Sequence, residues 1–206
     1  MLINIHPVDP QPRNIKMAAD ILRKDGVLVY PTDSNYALCC MVGNQKGMAR
    51  IIQIRAESKQ VHYFSLVCRD LSELSQYALV DNRQYRLLRA VLPGAYTFIL
   101  KGSREVPKRL LTPKRDTVGL RMPDHPITQA LLDELGSPLM SATLKVPNME
   151  LYELNTPSLV DDVLGNRVDA VIDGGPCSME PTTVIDLSDG MPEIIRQGQG
   201  DVSLFI

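Results

Sequence analysis

The sequence predicts a single α/β domain built on a mixed, strongly twisted sheet with flanking helices, and three observations carry that prediction. Short apolar runs of strand length, such as VLVY at 27–30 and YTFILK at 96–101, are interspersed with amphipathic stretches such as RNIKMAADILRKD at 13–25. The strand-like runs number roughly eight or nine, too many for an all-helical fold. The chain, 206 residues and 22.9 kDa, is of a size that buries one substantial core, and it shows no internal repeat, low-complexity segment or linker.

Taken in order, Leu2 to Ile5 reads as a first strand. Residues 13–25 place Ile15, Ala18, Ile21 and Leu22 on one helical face, with Gly26 as the stop. VLVY and YALCC (36–40) are two strand runs separated by a loop, Pro31 to Asn35. In that loop proline fixes φ, and Thr32, Asp33, Ser34 and Asn35 carry short hydrogen-bonding groups suited to fixing a turn or holding a small polar ligand. Asn44 caps a helix over GMARIIQIR, whose Met48, Ile51, Ile52 and Arg55 share a stripe. YFSLVC (63–68) is a strand, and LSELSQY and NRQYRLLRAVL are helical. Leu92-Pro93-Gly94 breaks the chain before YTFILK, and TVGLRMP ends a strand at Pro123. PITQALLDELG has Pro126 at its start and Gly136 at its end, as a helix requires. PLMSATL, VDAVIDGG, TTVIDL and EIIRQG complete the strands.

Several function classes lack support. There is no GxxxxGK[ST] loop, no GxGxxG after the first strand, no HExxH and no GxSxG, so no structural zinc and no serine hydrolase are expected. No apolar run reaches membrane-spanning length, and the first ten residues lack the basic and apolar regions of a signal peptide. Cys39, Cys40, Cys68 and Cys177 have neither CxxC nor metal spacing; they read as buried thiols of a reducing cytoplasm. Residues 1–145 carry 20 Lys and Arg against 13 Asp and Glu, and residues 146–206 carry 2 against 11. Such a body could face a polyanion on one side, or simply present two differently charged solvated faces.

Anion-binding groups gather at strand and helix ends: Arg55, Thr97, Arg121, Ser141 with Thr143, Thr182 with Thr183, and Arg196. Ligands of open α/β sheets collect at strand ends, and arginine offers a fork matched to phosphate or carboxylate. Each residue also has an ordinary role in capping or turn chemistry.

YPTDSNYALCC resembles the PTDTxYGL stretch of the YrdC/YciO family, and the later segments follow that family's order. QIR stands for its KxR, LPGAYTFIL for PGxxT, VGLRMP for xRxP and SATLK near SxN. DGG with TTVIDL stands for STVxD, and IIRQGQG for RxG. HYFSLVCRDLSEL is similar to the YciO branch. The resemblance spans nearly the whole chain and implies a twisted α/β sheet with a concave basic face. It also implies L-threonylcarbamoyladenylate synthase-type chemistry on ATP, L-threonine and bicarbonate, with Mg²⁺ entering alongside ATP, in tRNA adenosine modification. Binding of tRNA or double-stranded RNA is implied as well.

By the same resemblance, Thr32, Thr183 and His62 would hold threonine, and Arg55 and Arg121 would face carboxylate or phosphate during catalysis. Lys59, Ser141, Thr143 and Arg196, again with Arg55, would meet the nucleotide, and Tyr36 would pack beneath the loop. Three positions depart from the pattern: Gln53 replaces the family lysine, Lys145 the asparagine of SxN, and PTDS stands for PTDT. A unit charge about 4 Å from another is worth roughly 4 kcal/mol at an effective dielectric near 20. Its loss therefore predicts weakened synthase activity unless Lys59, in the adjacent loop, restores it. A non-enzymatic alternative rests on KGSREVPKRLLTPKRD, where Lys101, Arg104, Lys108, Arg109, Lys114 and Arg115 form a basic run suited to an RNA backbone. With no Trp and few Phe, duplex or backbone binding fits better than single-strand readout.

Overall fold

In a computed structural model, which describes residues 1–56 and 64–206, the elements follow the predicted order. They are β1 (Leu2–Asn4), α1 (Pro12–Arg23), β2 (Leu28–Tyr30), β3 (Ala37–Met41), α2 (Gln45–Arg55), β4 (Ser65–Val67), α3 (Leu71–Tyr77) and α4 (Asn82–Val91). Then come β5 (Tyr96–Lys101), β6 (Thr117–Arg121), α5 (Pro126–Leu135), β7 (Leu139–Thr143), α6 (Leu151–Leu154), α7 (Pro157–Leu164), β8 (Ala170–Asp173), β9 (Thr183–Asp186) and β10 (Glu193–Arg196). The stop signals act as their chemistry requires. Asn44 Oδ1 accepts the Gly47 N–H at 2.8 Å, and Gly136 closes α5 in the left-handed region at φ 67°. Asp81 and Gln84 form a reciprocal capping box on α4. The sequence reading placed no helix in 146–167, where α6 and α7 lie; both are short, and α6 is a single turn.

The ten strands form one mixed sheet in the order β1-β8-β2-β3-β7-β4-β6-β5-β9-β10. Because successive strand residues face opposite sides, the register assigns every side chain to one of two layers. One layer is the larger core, in which Leu38, Cys40, Leu66, Phe98, Leu120, Met140 and Ile185 meet α2, α3, α4, α6 and α7 through Ile51, Ile54, Leu74, Leu88, Leu154, Val160 and Leu164. The other layer holds Leu28, Tyr30, Ala37, Cys39, Val67, Leu139 and Ile172 beneath Ile15, Ala18, Leu22, Ile127 and Leu131 of α1 and α5. Cys39 and Cys40 accordingly lie in opposite layers. The second layer draws nothing from β5, β6, β9 or β10. On that side, among the described residues, half of the sheet carries no helix. The face left open mixes small and polar groups with two aliphatic ones: Ser141 opposes Ser65, Ser65 opposes Gly119, Gly119 opposes Ile99, and Thr97 opposes Val184.

Candidate functional site

Arg121, the last residue of β6, lies on the open face. Its Nη2 donates to Asp33 Oδ1 at 2.8 Å and to Ser34 Oγ at 3.1 Å, while both partners of the ion pair keep only 8% side-chain exposure. Asp33 Oδ2 accepts the Asp124 N–H at 2.9 Å, so the carboxylate ties the loop after β2 to the turn before α5. The Arg121 Nε is buried and has no hydrogen-bond partner among the described residues. Within the loop, Thr32 Oγ1 donates to the Asn35 carbonyl at 2.6 Å and accepts the Ser34 N–H. Thr32 is 1% exposed, so its side chain fixes the turn; Asp33 and Ser34 carry the loop's contact with Arg121. Tyr36 lies beneath the loop as expected, donating to the Gly175 carbonyl at 2.7 Å.

Arg196 closes β10 beside the same corner. Its Nε and Nη2 donate to the Thr182 carbonyl at 3.0 and 2.8 Å, and Nη2 also reaches Thr182 Oγ1, which bonds Thr97 Oγ1 at 3.0 Å. Burial lowers the Arg196 pKa, and the nearby Arg121 charge lowers it further, placing two guanidiniums close together. Asp33 is the carboxylate paired with Arg121. Thr183 departs from expectation. It faces the larger core, fully buried, donating to the Gly200 carbonyl at 2.6 Å and accepting the Gly198 N–H at 3.0 Å. It anchors the turn after Arg196 and does not line the hollow; its neighbour Thr182 does, because adjacent strand residues point to opposite faces.

Arg55, at the end of α2 on the larger-core side, reaches the far end of β7: its Nη1 donates to the Thr143 carbonyl at 2.9 Å, so the Thr143 main chain, with its side chain exposed, makes the contact. Ser141, 3% exposed, bonds Tyr30 Oη at 2.8 Å. Four residues of strand rise and two strand spacings separate the Thr143 and Arg121 backbones, roughly 16 Å along the diagonal. Ser141, Ser65 and Gly119 form the floor between. Gln53, exposed, lines a shallow hollow with Arg50, Ile54, Asn166 and Arg167. Lys59 and His62 lie outside the described residues.

The basic segment is partly neutralised. Arg115 Nη2 pairs with Asp186 at 2.9 Å and Asp189 at 3.1 Å, and Lys101 lies 3.8 Å from Asp189. Arg104, Lys108, Arg109 and Lys114 are exposed, with no ion pair among the described residues. No helix among those residues is long and apolar enough to cross a membrane, and no three metal-ligating side chains converge. The sequence reading missed the Asp33–Ser34–Arg121 junction and the Ser65–Gly119 floor. Asp33 and Arg121 each had a local signal, in a turn motif and at a strand end, but nothing in the sequence pairs two residues 88 positions apart.

The family model for Sua5, YciO and YrdC proteins, described as telomere recombination, matches residues 20–198. The chain is 51% identical over 202 residues to the uncharacterized protein YciO of Escherichia coli K12, covering 98% of this chain and 97% of that one. The crystal structure of E. coli YciO superposes with a TM-score of 0.92 over 100% of this chain and 99% of the other, at 49% identity. The threonylcarbamoyl-AMP synthase of Bacillus subtilis is 28% identical over 195 residues, 92% of this chain but 54% of that enzyme. The fold is shared with P. abyssi Sua5 in complex with L-threonine, at a TM-score of 0.83 and 22% identity over 96% of this chain and 57% of that one.

Proposed function

Because the chain belongs to the Sua5/YciO/YrdC family, we propose that it binds ATP and L-threonine on the open face of its sheet and carries out threonylcarbamoyl-AMP synthase-type chemistry in the cytoplasm. In that reaction the threonine amine condenses with bicarbonate to a carbamate, whose oxygen attacks the α-phosphorus of ATP as pyrophosphate leaves. Such a transfer depends on positioning and on spreading charge more than on an acid–base pair. Arg121 and Arg196 supply positive charge at one end and Arg55 at the other. Ser141 meets the nucleotide between them, and Mg²⁺ arrives with ATP as part of the substrate. His62 and Lys59 are assigned to threonine and nucleotide by family resemblance alone. With Gln53 in place of the family lysine, turnover is expected to be slow.

The observation that supports this reading best is the pair of neighbouring arginines, Arg121 and Arg196, with Asp33 balancing only the first. The test is threonine- and bicarbonate-dependent pyrophosphate release from MgATP, compared with Arg121→Met and Arg196→Met. Release that requires both co-substrates and falls at least tenfold in each variant supports the reading; release independent of threonine refutes it. A second reading has its own observation: Arg104, Lys108, Arg109 and Lys114, four exposed cations on one segment with no ion pair among the described residues. They favour the backbone of tRNA or double-stranded RNA. Neutralising all four is expected to abolish a salt-sensitive RNA shift that Arg55→Ala leaves intact.

A further inference from the structure

Three observations converge on the floor of the open face. Ser65 opposes Ser141 across the β4–β7 ladder, so their side chains stand side by side on the face that no helix among the described residues covers. The Ser141 hydroxyl is already held, by Tyr30 at 2.8 Å, whereas the Ser65 hydroxyl has no hydrogen-bond partner among the described residues. On the other side of Ser65, Gly119 leaves a gap: a Cβ there would lie 2.9 Å from Ser65 Oγ. Gly119 has no positive φ to require glycine, so the residue keeps space rather than a backbone conformation.

We propose that Ser65 is a nucleotide-binding residue, its hydroxyl bonding an oxygen of ATP beside Ser141, with Gly119 keeping that place open. The inference rests on the ATP reading above. The direction of the neighbouring bond supports it. Tyr30 is fully buried and stays protonated, because burial raises its pKa. Either hydroxyl can donate in this bond; a phenol is the stronger acid, and with Tyr30 donating, the Ser141 proton is available to a ligand. Two adjacent hydroxyls then present donors to one oxygen-rich ligand, as a phosphate or ribose edge requires. A partly exposed serine with no partner among the described residues should contribute little to folding, which makes its contribution to binding separable.

MgATP is titrated calorimetrically into the full chain and into Ser65→Ala, Ser65→Thr and Gly119→Ala, with a thermal melt of each. Ser65→Ala is expected to weaken ATP about five- to tenfold, the worth of one neutral hydrogen bond, while its melting temperature moves by no more than about 2 °C. Ser65→Thr restores the hydroxyl and the affinity. Gly119→Ala weakens ATP at least as much as Ser65→Ala, because the new methyl displaces the hydroxyl. Unchanged affinity in Ser65→Ala overturns this inference alone, and so does a loss that comes with a larger drop in melting temperature. A wild-type chain that takes up no ATP overturns it together with the reading on which it rests.

Discussion

Replacing Asp33 with asparagine sets fold stability and anion binding against each other. Arg121 and Asp33 are paired at 2.8 Å with 8% exposure on each side, so solvent screens the pair little. Removing one member of a buried pair costs about 3–5 kcal/mol, because the remaining charge stays desolvated. Asparagine keeps an oxygen for Nη2, which puts the cost near the lower end, about 3 kcal/mol. The same change strips the countercharge from a corner where Arg196 already faces Arg121. An anion bound about 6 Å from Asp33 is repelled by up to roughly 2.8 kcal/mol at an effective dielectric near 20, and water entering an open face halves this. Losing that repulsion should tighten anion binding about tenfold. Urea denaturation is expected to show Asp33→Asn less stable, and calorimetry to show it binding pyrophosphate more tightly than wild type. A variant that loses both stability and pyrophosphate affinity would refute the reasoning, since Asp33 would then shape the hollow rather than oppose its charge.

Other outcomes follow from separate parts of the fold. Phe205 sits 6.2 Å from Tyr96 and 5.9 Å from Phe98, ring centroid to centroid, and is 7% exposed. Phe205→Ala should cost about 3 kcal/mol in urea denaturation. Asp81 Oδ1 accepts both the Arg83 and Gln84 N–H groups, so Asp81→Ala should cost about 1 kcal/mol by the same assay. Burial lowers the His125 pKa below its ordinary 6.5, against the raising pull of Asp33 and Asp124. The unfolded chain therefore takes up this proton first. Stability is full above about pH 6.5, falls as pH drops from there toward the folded value, and should fall less steeply in His125→Gln. Cys39, Cys40 and Cys68 are buried, and burial pushes the half-buried Cys177 thiol up to about 11. A thiol reagent at pH 8 should modify at most Cys177 in the native protein, slowly, and all four cysteines in denaturant.

The elements were legible wherever local chemistry decides them. Asn44 had to cap α2, Gly136 had to end α5, and the apolar runs had to be strands, because caps and periodicities act over a few residues. The single turn of α6 offers too short a period to read. The site was legible as a set of residue types but not as a set of contacts. Thr182 and Thr183 look alike in sequence, yet the pleat sends one to the hollow and the other to the core. That choice is set by the register with β5, where Tyr96 opposes Thr183.

The open face has the same origin. Among the described residues, α1 and α5 alone serve the second layer, and their apolar residues reach only β1, β8, β2, β3 and the near ends of β7 and β4. Beyond Val67 and Leu139 the side chains facing that layer turn mostly polar or small, as Ser141, Ser65, Gly119, Arg121 and Thr97, with Ile99 and Val184 the aliphatic ones among them. A helix laid over them would bury the Ser65 hydroxyl, which has no partner among the described residues, at a cost of about 1–3 kcal/mol, and would desolvate the Arg196 guanidinium further. The hollow is therefore kept open by the composition of its own floor. The same groups that repel a covering helix are the ones that an ATP phosphate or a threonine carboxylate would satisfy.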